Sequence, residues 1–124
     1  MRNVWQRNRG YNKYSNEKFE YKGMKFDSKA EFHYYLLLED RERKGEIRDL
    51  QRQVVFELQP AFRDSEGRAI RAIKYIADFV YYDTDTGKRH IVDVKGSKAM
   101  ETEVFKIKAK IMAYQGNEIE EVFL

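Results

Sequence analysis

Two β-favouring segments joined by a short turn constrain the fold of this chain more than any other feature. Residues 69–82 read AIRAIKYIADFVYY and residues 89–95 read RHIVDVK, and both are rich in β-branched and aromatic side chains. Between them, residues 85–88 read DTGK, which is typical of a hairpin turn. The pattern predicts two strands that pair as neighbours within one sheet.

Both predicted strands carry charged side chains inside an apolar stretch. Asp78 lies in YIADF, and Asp93 and Lys95 lie in IVDVKG. Because side chains alternate between the faces of a strand, Asp93 and Lys95 share one face while Val92 and Val94 share the other. Pairing of the strands brings Asp78 beside Asp93 at cross-strand distance. A charge placed there costs free energy unless it is paired or binds a cation.

Two carboxylates on neighbouring strands repel each other, by roughly 4 kcal/mol at about 4 Å near a protein surface. The pair therefore takes up a proton or shares a cation, and oxygen ligands favour Mg²⁺. In this interpretation the backbone carbonyl of Val94 adds an oxygen, and Lys95 neutralises a phosphate or orients a water. The alternative is a cross-strand salt bridge from Lys95 to Asp78, with Asp93 solvated.

The remaining segments alternate between β-favouring and helical patterns. Turn residues, capping residues and the spacing of apolar side chains set their limits. The order helix, three strands, helix, strand predicts an α/β domain with a central mixed four-stranded sheet and helices packed on it. The predicted bounds are 20–26 for a hairpin, 29–44 for the first helix, 47–59 for a strand, 101–115 for the second helix and 118–123 for the last strand.

Glu31 falls in the first turn of the first predicted helix and has two interpretations. It lies on the same side as Tyr34, Tyr35 and Leu38, so it can aim into the sheet and supply a third carboxylate. Ser28 and Glu31 also form a capping box, in which Glu31 bonds back to the amide of the N-cap residue. The sequence leaves both roles open.

Composition limits the class of protein. The 124 residues suit one domain, and 42% hydrophobic with 36% charged residues suit a soluble globular chain. The absence of cysteine excludes disulfides and thiolate metal sites. No apolar run approaches the roughly 18 residues of a membrane span, and no secretory signal is visible, so we expect a cytoplasmic protein with no membrane partner. We assign residues 20–124 to a single domain and residues 1–19 to a basic aromatic N-terminal arm.

The arm concentrates positive charge on a chain whose formal net charge is +3. Its cations alternate with aromatic residues, and cations with stackable rings are the ingredients of nucleic-acid contact. Arg7, Arg9 and Lys13 are the candidate phosphate ligands. The alternative is a solvated terminus whose aromatic side chains pack on the domain.

The ordered series of motifs resembles the PD-(D/E)XK nuclease superfamily. FDSKAE is followed by RQVVFELQP, YIADF, VDVKG and TEVFKIK, over about residues 20–115. More narrowly, the chain is similar to small phage and prophage endonucleases of the Holliday-junction-resolvase type, and more distantly to transposon-end endonucleases. Ala77 stands where the family motif has proline, and Asp93 stands where glutamate is commoner. The resemblance implies a restriction-endonuclease-like core, αβββαβ.

The resemblance also implies an activity: a divalent-metal-dependent endonuclease that hydrolyses branched DNA such as four-way junctions and leaves a 5′-phosphate. It identifies Glu31, Asp78, Asp93 and Lys95 as catalytic residues. The three acids, with the Val94 carbonyl considered above, are the expected ligands of Mg²⁺, for which Mn²⁺ can substitute. It further implies a homodimer, and the host cytoplasm as the location of a phage-encoded protein. The alternatives are a non-catalytic nucleic-acid-binding protein on a nuclease fold and an endonuclease for ordinary duplex DNA.

Further DNA contacts are expected from the second helix and the first strand of the sheet. Lys106 and Lys110 are four residues apart on one helix face, where they can clamp phosphates. Lys108 lies nearer the side of Val104 and Ile111, so we expect it to point toward the site. Gln53 resembles polar residues found near such sites. The complete DNA-binding set is Arg7, Arg9, Lys13, Gln53, Lys106 and Lys108.

Overall fold

The computed structural model describes residues 18–124 of the chain. The arm residues Arg7, Arg9 and Lys13 lie outside the described residues, so their predicted contacts with DNA stay predictions. The described part is a mixed α/β domain with a four-stranded mixed sheet and two α-helices. No helix in this part is long and apolar enough to cross a membrane.

The elements follow one another in the predicted order, with a small extra hairpin after the first long strand. Their bounds are β1 Phe19–Tyr21, β2 Met24–Phe26, α1 Lys29–Arg43, β3 Ile47–Gln59, β4 Phe62–Arg63, β5 Ala69–Ile70, β6 Ile73–Asp83, β7 Arg89–Lys95, α2 Glu103–Tyr114 and β8 Ile119–Phe123. A short 3₁₀ turn, Lys98–Met100, connects β7 to α2.

The central sheet has the strand order β3-β6-β7-β8. β6 is antiparallel to both β3 and β7, and β8 is parallel to β7 with α2 as the crossover. The predicted pairing of the two charge-bearing strands is therefore confirmed. Both sheet faces are covered, since Leu38 of α1 packs against Phe79 and Val92 while Met112 of α2 packs against Ile91.

The predicted continuous strand over residues 69–82 is wrong in one respect. Ala69–Ile70 pairs with Phe62–Arg63 in a separate hairpin, and the long strand β6 begins only at Ile73. β3 ends at Gln59, directly before Pro60, because proline has no amide hydrogen for the ladder. The segment changes pairing partner between Ile70 and Ile73, which β-propensity does not reveal.

The first helix forms as the sequence predicts. Ser28 caps it, with its Oγ accepting a hydrogen bond from the Glu31 amide at 3.1 Å. Lys44 is the C-cap residue, and Gly45 follows with φ of +82°, which glycine adopts without strain. Thr102 caps the second helix in the same way, through the Phe105 amide.

The second helix packs a different face from the one predicted. Val104 and Ile107 are 61% and 57% exposed, whereas Phe105 and Met112 pack into the core. The side of α2 that carries Val104 and Ile107 is therefore exposed, and the side that carries Phe105 and Met112 packs on the sheet. Lys108 is half-buried. We expected it to point toward the site because it lies on the side of Val104, and the exposure of Val104 removes that reason.

Two aromatic residues near the predicted boundary between arm and domain pack on α1. Phe19 belongs to β1, and its ring stacks on Phe32 of α1 with centroids 5.5 Å apart. The Tyr21 ring meets the same phenylalanine edge-on at 5.6 Å. For Phe19, the last residue of the predicted arm, the alternative of packing on the domain is correct, whereas Tyr21 lies within the predicted domain.

His90 links three strands at the end of the sheet away from Asp78. Its Nε2 is 2.8 Å from Asp83 Oδ2, and its Nδ1 is 2.6 Å from Glu120 Oε2. The ring also stacks on Tyr81. Burial lowers the pKa of His90, but the hydrogen bonds to Asp83 and Glu120 outweigh burial and raise that pKa above its ordinary value. Only an imidazolium donates at both nitrogens, so this geometry favours the charged ring.

This arrangement predicts that stability falls with rising pH. A folded-state pKa above the unfolded value of about 6.5 stabilises the fold fully below that pH, and the stabilisation is lost as the pH passes the folded pKa. We expect the free energy of unfolding of the wild type to exceed that of His90→Gln by about 1–2 kcal/mol at pH 6 and by less at pH 9. Urea unfolding at the two pH values measures this difference. The control is His33→Gln, at an exposed position in α1. A difference that stays constant with pH would contradict the assignment.

Candidate active site

The central sheet divides at Asp78. β6 and β7 pair as far as Phe79 and Val92, and beyond that point β6 continues only with β3 and β7 only with β8. In the fork, the Val94 amide of β7 donates to Asp78 Oδ2 at 2.8 Å. The carboxylate therefore bridges the strands where the ladder has ended, next to the predicted site residues.

Glu31 enters this fork from the first turn of α1. Its side chain is buried, at 2% exposure, and both oxygens are used. Oε1 accepts from the Asp27 amide at 2.9 Å, and Oε2 accepts from Gln53 Nε2 at 2.7 Å. Both interpretations of Glu31 are therefore partly correct. Its side chain caps the start of α1, but it accepts from the amide of Asp27 rather than from that of Ser28. The same side chain also faces the sheet, where it bonds to Gln53.

Asp78 is a half-buried acid whose neighbours oppose its ionisation. Burial raises the pKa of Asp78 to about 8, the hydrogen bond from the Val94 amide opposes the rise, and the charges of Asp93 and Glu31 add to it. Asp78 and Glu31 line the same cavity, so the charge of Glu31 opposes the ionisation of Asp78. Because the pKa of Asp78 is raised to about 8, its carboxyl group retains a proton at neutral pH.

Asp93 and Lys95 point to the same face of β7, as predicted, and each is 9% exposed. Lys95 Nζ forms an ion pair with Asp93 Oδ2. Tyr75 OH donates to Asp93 Oδ1 at 3.0 Å, and Lys95 Nζ lies 3.6 Å from the centre of the Phe105 ring. The alternative of a Lys95–Asp78 bridge with a solvated Asp93 is therefore wrong, because the ion pair forms within β7 and is buried.

Sequence reasoning missed Tyr75 and Phe105. Burial and the neighbouring Asp93 raise the pKa of Tyr75, so its hydroxyl remains a donor. Phe105 offers its ring face to the ammonium, a favourable cation–π arrangement. The available signal for Tyr75 was its position in YIADF on a strand adjacent to VDVKG, but only the three-dimensional register shows which acid it reaches.

A second pair of acids lies on the far side of Asp93. Glu121 of β8 stands opposite Asp93 in the parallel ladder. Burial raises the pKa of Glu121, and its hydrogen bond to Glu101 raises it further, while Lys95 lowers it. The charge of Lys95 therefore acts on Glu121 of β8 as well as on Asp93 of its own strand.

The donor set suits a hard divalent cation. An open cavity of about 350 Å³ lies between the start of α1 and the fork. Its lining consists of Lys18, Asp27, Ser28, Glu31, Asp78, Val94 and Met100. Carboxylate and backbone oxygens are the ligands Mg²⁺ prefers, and a cation there would replace the proton that Asp78 retains.

The three acids are not already gathered around one point. Within residues 18–124, no three histidine, aspartate or glutamate side chains stand in an arrangement that could hold a metal ion together. Glu31 and Asp78 share the cavity, whereas Asp93 is held by Tyr75 and Lys95. Each Asp93 oxygen accepts one such bond and keeps a further lone pair. Ligation by Asp93 and by the Val94 carbonyl stays a prediction.

The predicted DNA contacts divide between the site and the helix. Gln53 lies at the site, bonded to Glu31. Lys106 is half-exposed on α2 and pairs with Glu103 at 3.6 Å, and Lys110 is exposed. The geometry brings Gln53 to the acids, and phosphate contacts by the helix lysines stay predictions.

Comparison with known proteins gives one result. No curated protein and no solved structure matches the chain. A family model described as "Protein of unknown function (DUF1064)" matches residues 11–124, which is nearly the whole length. The match includes every element described above and all of the candidate site residues in the fork. The chain therefore belongs to the DUF1064 family.

Proposed function

We propose that this chain is a divalent-metal-dependent DNA endonuclease on a PD-(D/E)XK, restriction-endonuclease-like core. The observation that supports it most is that Glu31 of α1 and Asp78 of β6 line one cavity at the fork of the sheet, next to the buried Asp93–Lys95 pair of β7. Glu31, Asp78 and the Asp93–Lys95 pair come from three separate parts of the sequence. Burying Glu31, Asp93 and Lys95 in so small a domain costs stability, which is typical of a site kept for chemistry.

The order of elements supports the same proposal. α1, β3, β6, β7, α2 and β8 follow one another as helix, three strands, helix and strand, with β8 parallel to β7. This is the order that the resemblance implies for the core. Action on branched DNA, the homodimer and the host cytoplasm rest on the resemblance alone.

The chemistry follows from the contacts at the fork. A bound Mg²⁺ supplies Lewis acidity toward the scissile phosphate and a more acidic water. Glu31 and Asp78 would hold the ion through their carboxylate oxygens in the cavity, where Asp78 otherwise retains a proton. Lys95 sits beside Asp93 and stabilises negative charge that develops on the phosphate. Tyr75 and Phe105 hold Asp93 and Lys95 in place through the hydroxyl and the ring face.

Cleavage assays test the proposal. Purified protein is expected to cut a four-way junction in Mg²⁺, to leave 5′-phosphate ends, and to be inactive in EDTA. A linear duplex of matched sequence separates branch-dependent from general cleavage. Asp93→Asn, purified in parallel, is expected to cut at least about a hundredfold more slowly while still binding DNA, and it controls for contaminating nuclease. The proposal would be overturned if neither the junction nor the linear duplex were cut in a metal-dependent way.

The second candidate is a nucleic-acid-binding protein without catalysis. The observation that favours it is the closed ion pair between Lys95 and Asp93, which leaves each charge already satisfied. This candidate predicts that the wild type binds both DNA substrates and cuts neither. The same assays therefore decide between the two functions.

A further inference from the structure

Gln53 interrupts the regular geometry of β3. Its φ is +52°, in the left-handed region, whereas strand residues lie near −140°. The neighbouring pairs Arg52–Phe79 and Val54–Ala77 keep one register on either side of it, so Gln53 stands opposite Asp78. A non-glycine residue in this conformation is uncommon inside a strand, and it persists only where the surrounding structure imposes it.

The strand changes face at this residue. The Arg52 guanidinium stacks on Phe26 at 4.1 Å, whereas Val54, two residues later, packs with Tyr75 in the core cluster under α2. In a regular strand, residues 52 and 54 would share a face. The left-handed turn at Gln53 produces this change and allows its side chain to reach Glu31 at the start of α1.

We propose that Gln53 is a positioning residue that holds the Glu31 carboxylate beside Asp78 for a divalent cation. The proposal rests on the proposed function and assigns Gln53 to the acids rather than to DNA. Gln53 Nε2 donates to Glu31 Oε2 at 2.7 Å, and the Asp27 amide donates to Oε1 at 2.9 Å. Each oxygen is fixed by one donor, so the remaining lone pairs keep a set direction.

The competing explanation is purely structural: the hydrogen bond ties β3 to α1, and metal affinity depends on it only through the stability of the fold. Gln53→Gly separates the two explanations, because glycine adopts a φ of +52° without strain and also removes the carboxamide. A structural tie predicts that stability falls together with metal affinity. A positioning role predicts that metal affinity falls while stability is kept.

The experiment measures Mn²⁺ binding by titration calorimetry and the thermal unfolding midpoint of the metal-free protein. For Gln53→Gly we expect an affinity about tenfold weaker than wild type, with the midpoint unchanged or raised. Gln53→Asn keeps an amide that tolerates the left-handed region but is one methylene shorter, and it is expected to lose affinity similarly. The matched control is Asp49→Gly, at the other left-handed residue of β3, with φ of +56°. That variant relieves strain and is expected to leave Mn²⁺ affinity unchanged.

The outcomes are distinguishable. Wild type that neither binds Mn²⁺ nor cleaves DNA removes the proposed function, and the role of Gln53 with it. Wild type that binds Mn²⁺ while Gln53→Gly binds equally well leaves the proposed function standing and overturns the positioning role. A Gln53→Gly protein that loses stability and affinity together also overturns it, in favour of a structural tie.

Discussion

Asp78→Asn is expected to stabilise the metal-free protein and to abolish metal-dependent cleavage at the same time. The pKa of Asp78 is about 8 in the fold and about 3.8 in the ordinary case. Between those pH values the unfolded chain has released the proton that the folded chain retains, so wild-type stability falls as the pH rises. Asparagine does not titrate and avoids this loss.

The size of the gain follows from the same shift. Each pKa unit is worth about 1.4 kcal/mol, and relaxation of the site reduces the total, so we expect about 2–3 kcal/mol at pH 8 and little difference at pH 4. The asparagine oxygen can still accept from the Val94 amide, and its amide group can donate to Glu31. Urea unfolding in EDTA at several pH values measures the effect.

Asp85→Asn is the matched control, because this aspartate is exposed in the turn between β6 and β7. It is expected to change neither stability nor cleavage. The cleavage rate of Asp78→Asn is expected to fall at least about a hundredfold, because the substitution removes one carboxylate ligand of the proposed cation at the fork. A less stable Asp78→Asn protein, or one with the wild-type rate of cleavage, would contradict the assignment of Asp78.

Local patterns in the sequence account for much of this fold. The cap at Ser28, the turn at residues 85–88 and the strand at residues 89–95 all depend on neighbours within a few positions, and each was predicted correctly. The face shared by Asp93 and Lys95 follows from strand alternation in the same way. Such features require no knowledge of what packs against them.

The errors arise where a distant partner decides the outcome. The break between Ile70 and Ile73 depends on which strand each half pairs with. Burial of Phe105 in place of Val104 depends on how α2 sits on the sheet. The local spacing of apolar residues does not indicate either choice. In α2, for example, both faces carry apolar residues.

The site shows the same division. The acids themselves were identified from the sequence, but the pairing of Asp78 with Glu31 and of Asp93 with Lys95 was not. Those pairings follow from the fork in the sheet and from the left-handed turn at Gln53, both produced by long-range register. The residue types are readable along the chain, whereas the strand register determines which of them touch.

The buried ion pair leads to the second prediction with a large effect. Lys95→Met keeps an apolar stem against Phe105 but removes the charge that neutralises Asp93. An uncompensated buried carboxylate is expensive, so we expect a loss of about 3 kcal/mol in the free energy of unfolding. Asp93→Asn leaves the ammonium without its partner, and we expect a loss of similar size.

The double variant, Asp93→Asn with Lys95→Met, removes both charges and leaves Tyr75 with an amide oxygen to donate to. We expect it to be more stable than either single variant, with a coupling free energy of about 2 kcal/mol or more by urea unfolding in EDTA. Lys98→Met is the control, because the Lys98 side chain is 79% exposed and its pair with Glu101 spans 3.6 Å. Additive losses from the single variants would contradict a buried ion pair. If the double variant recovers stability but not cleavage, the contribution of the ion pair to folding is separated from its contribution to cleavage. The reason is that the same two charges destabilise the fold when one is left unpaired and are required by the proposed chemistry.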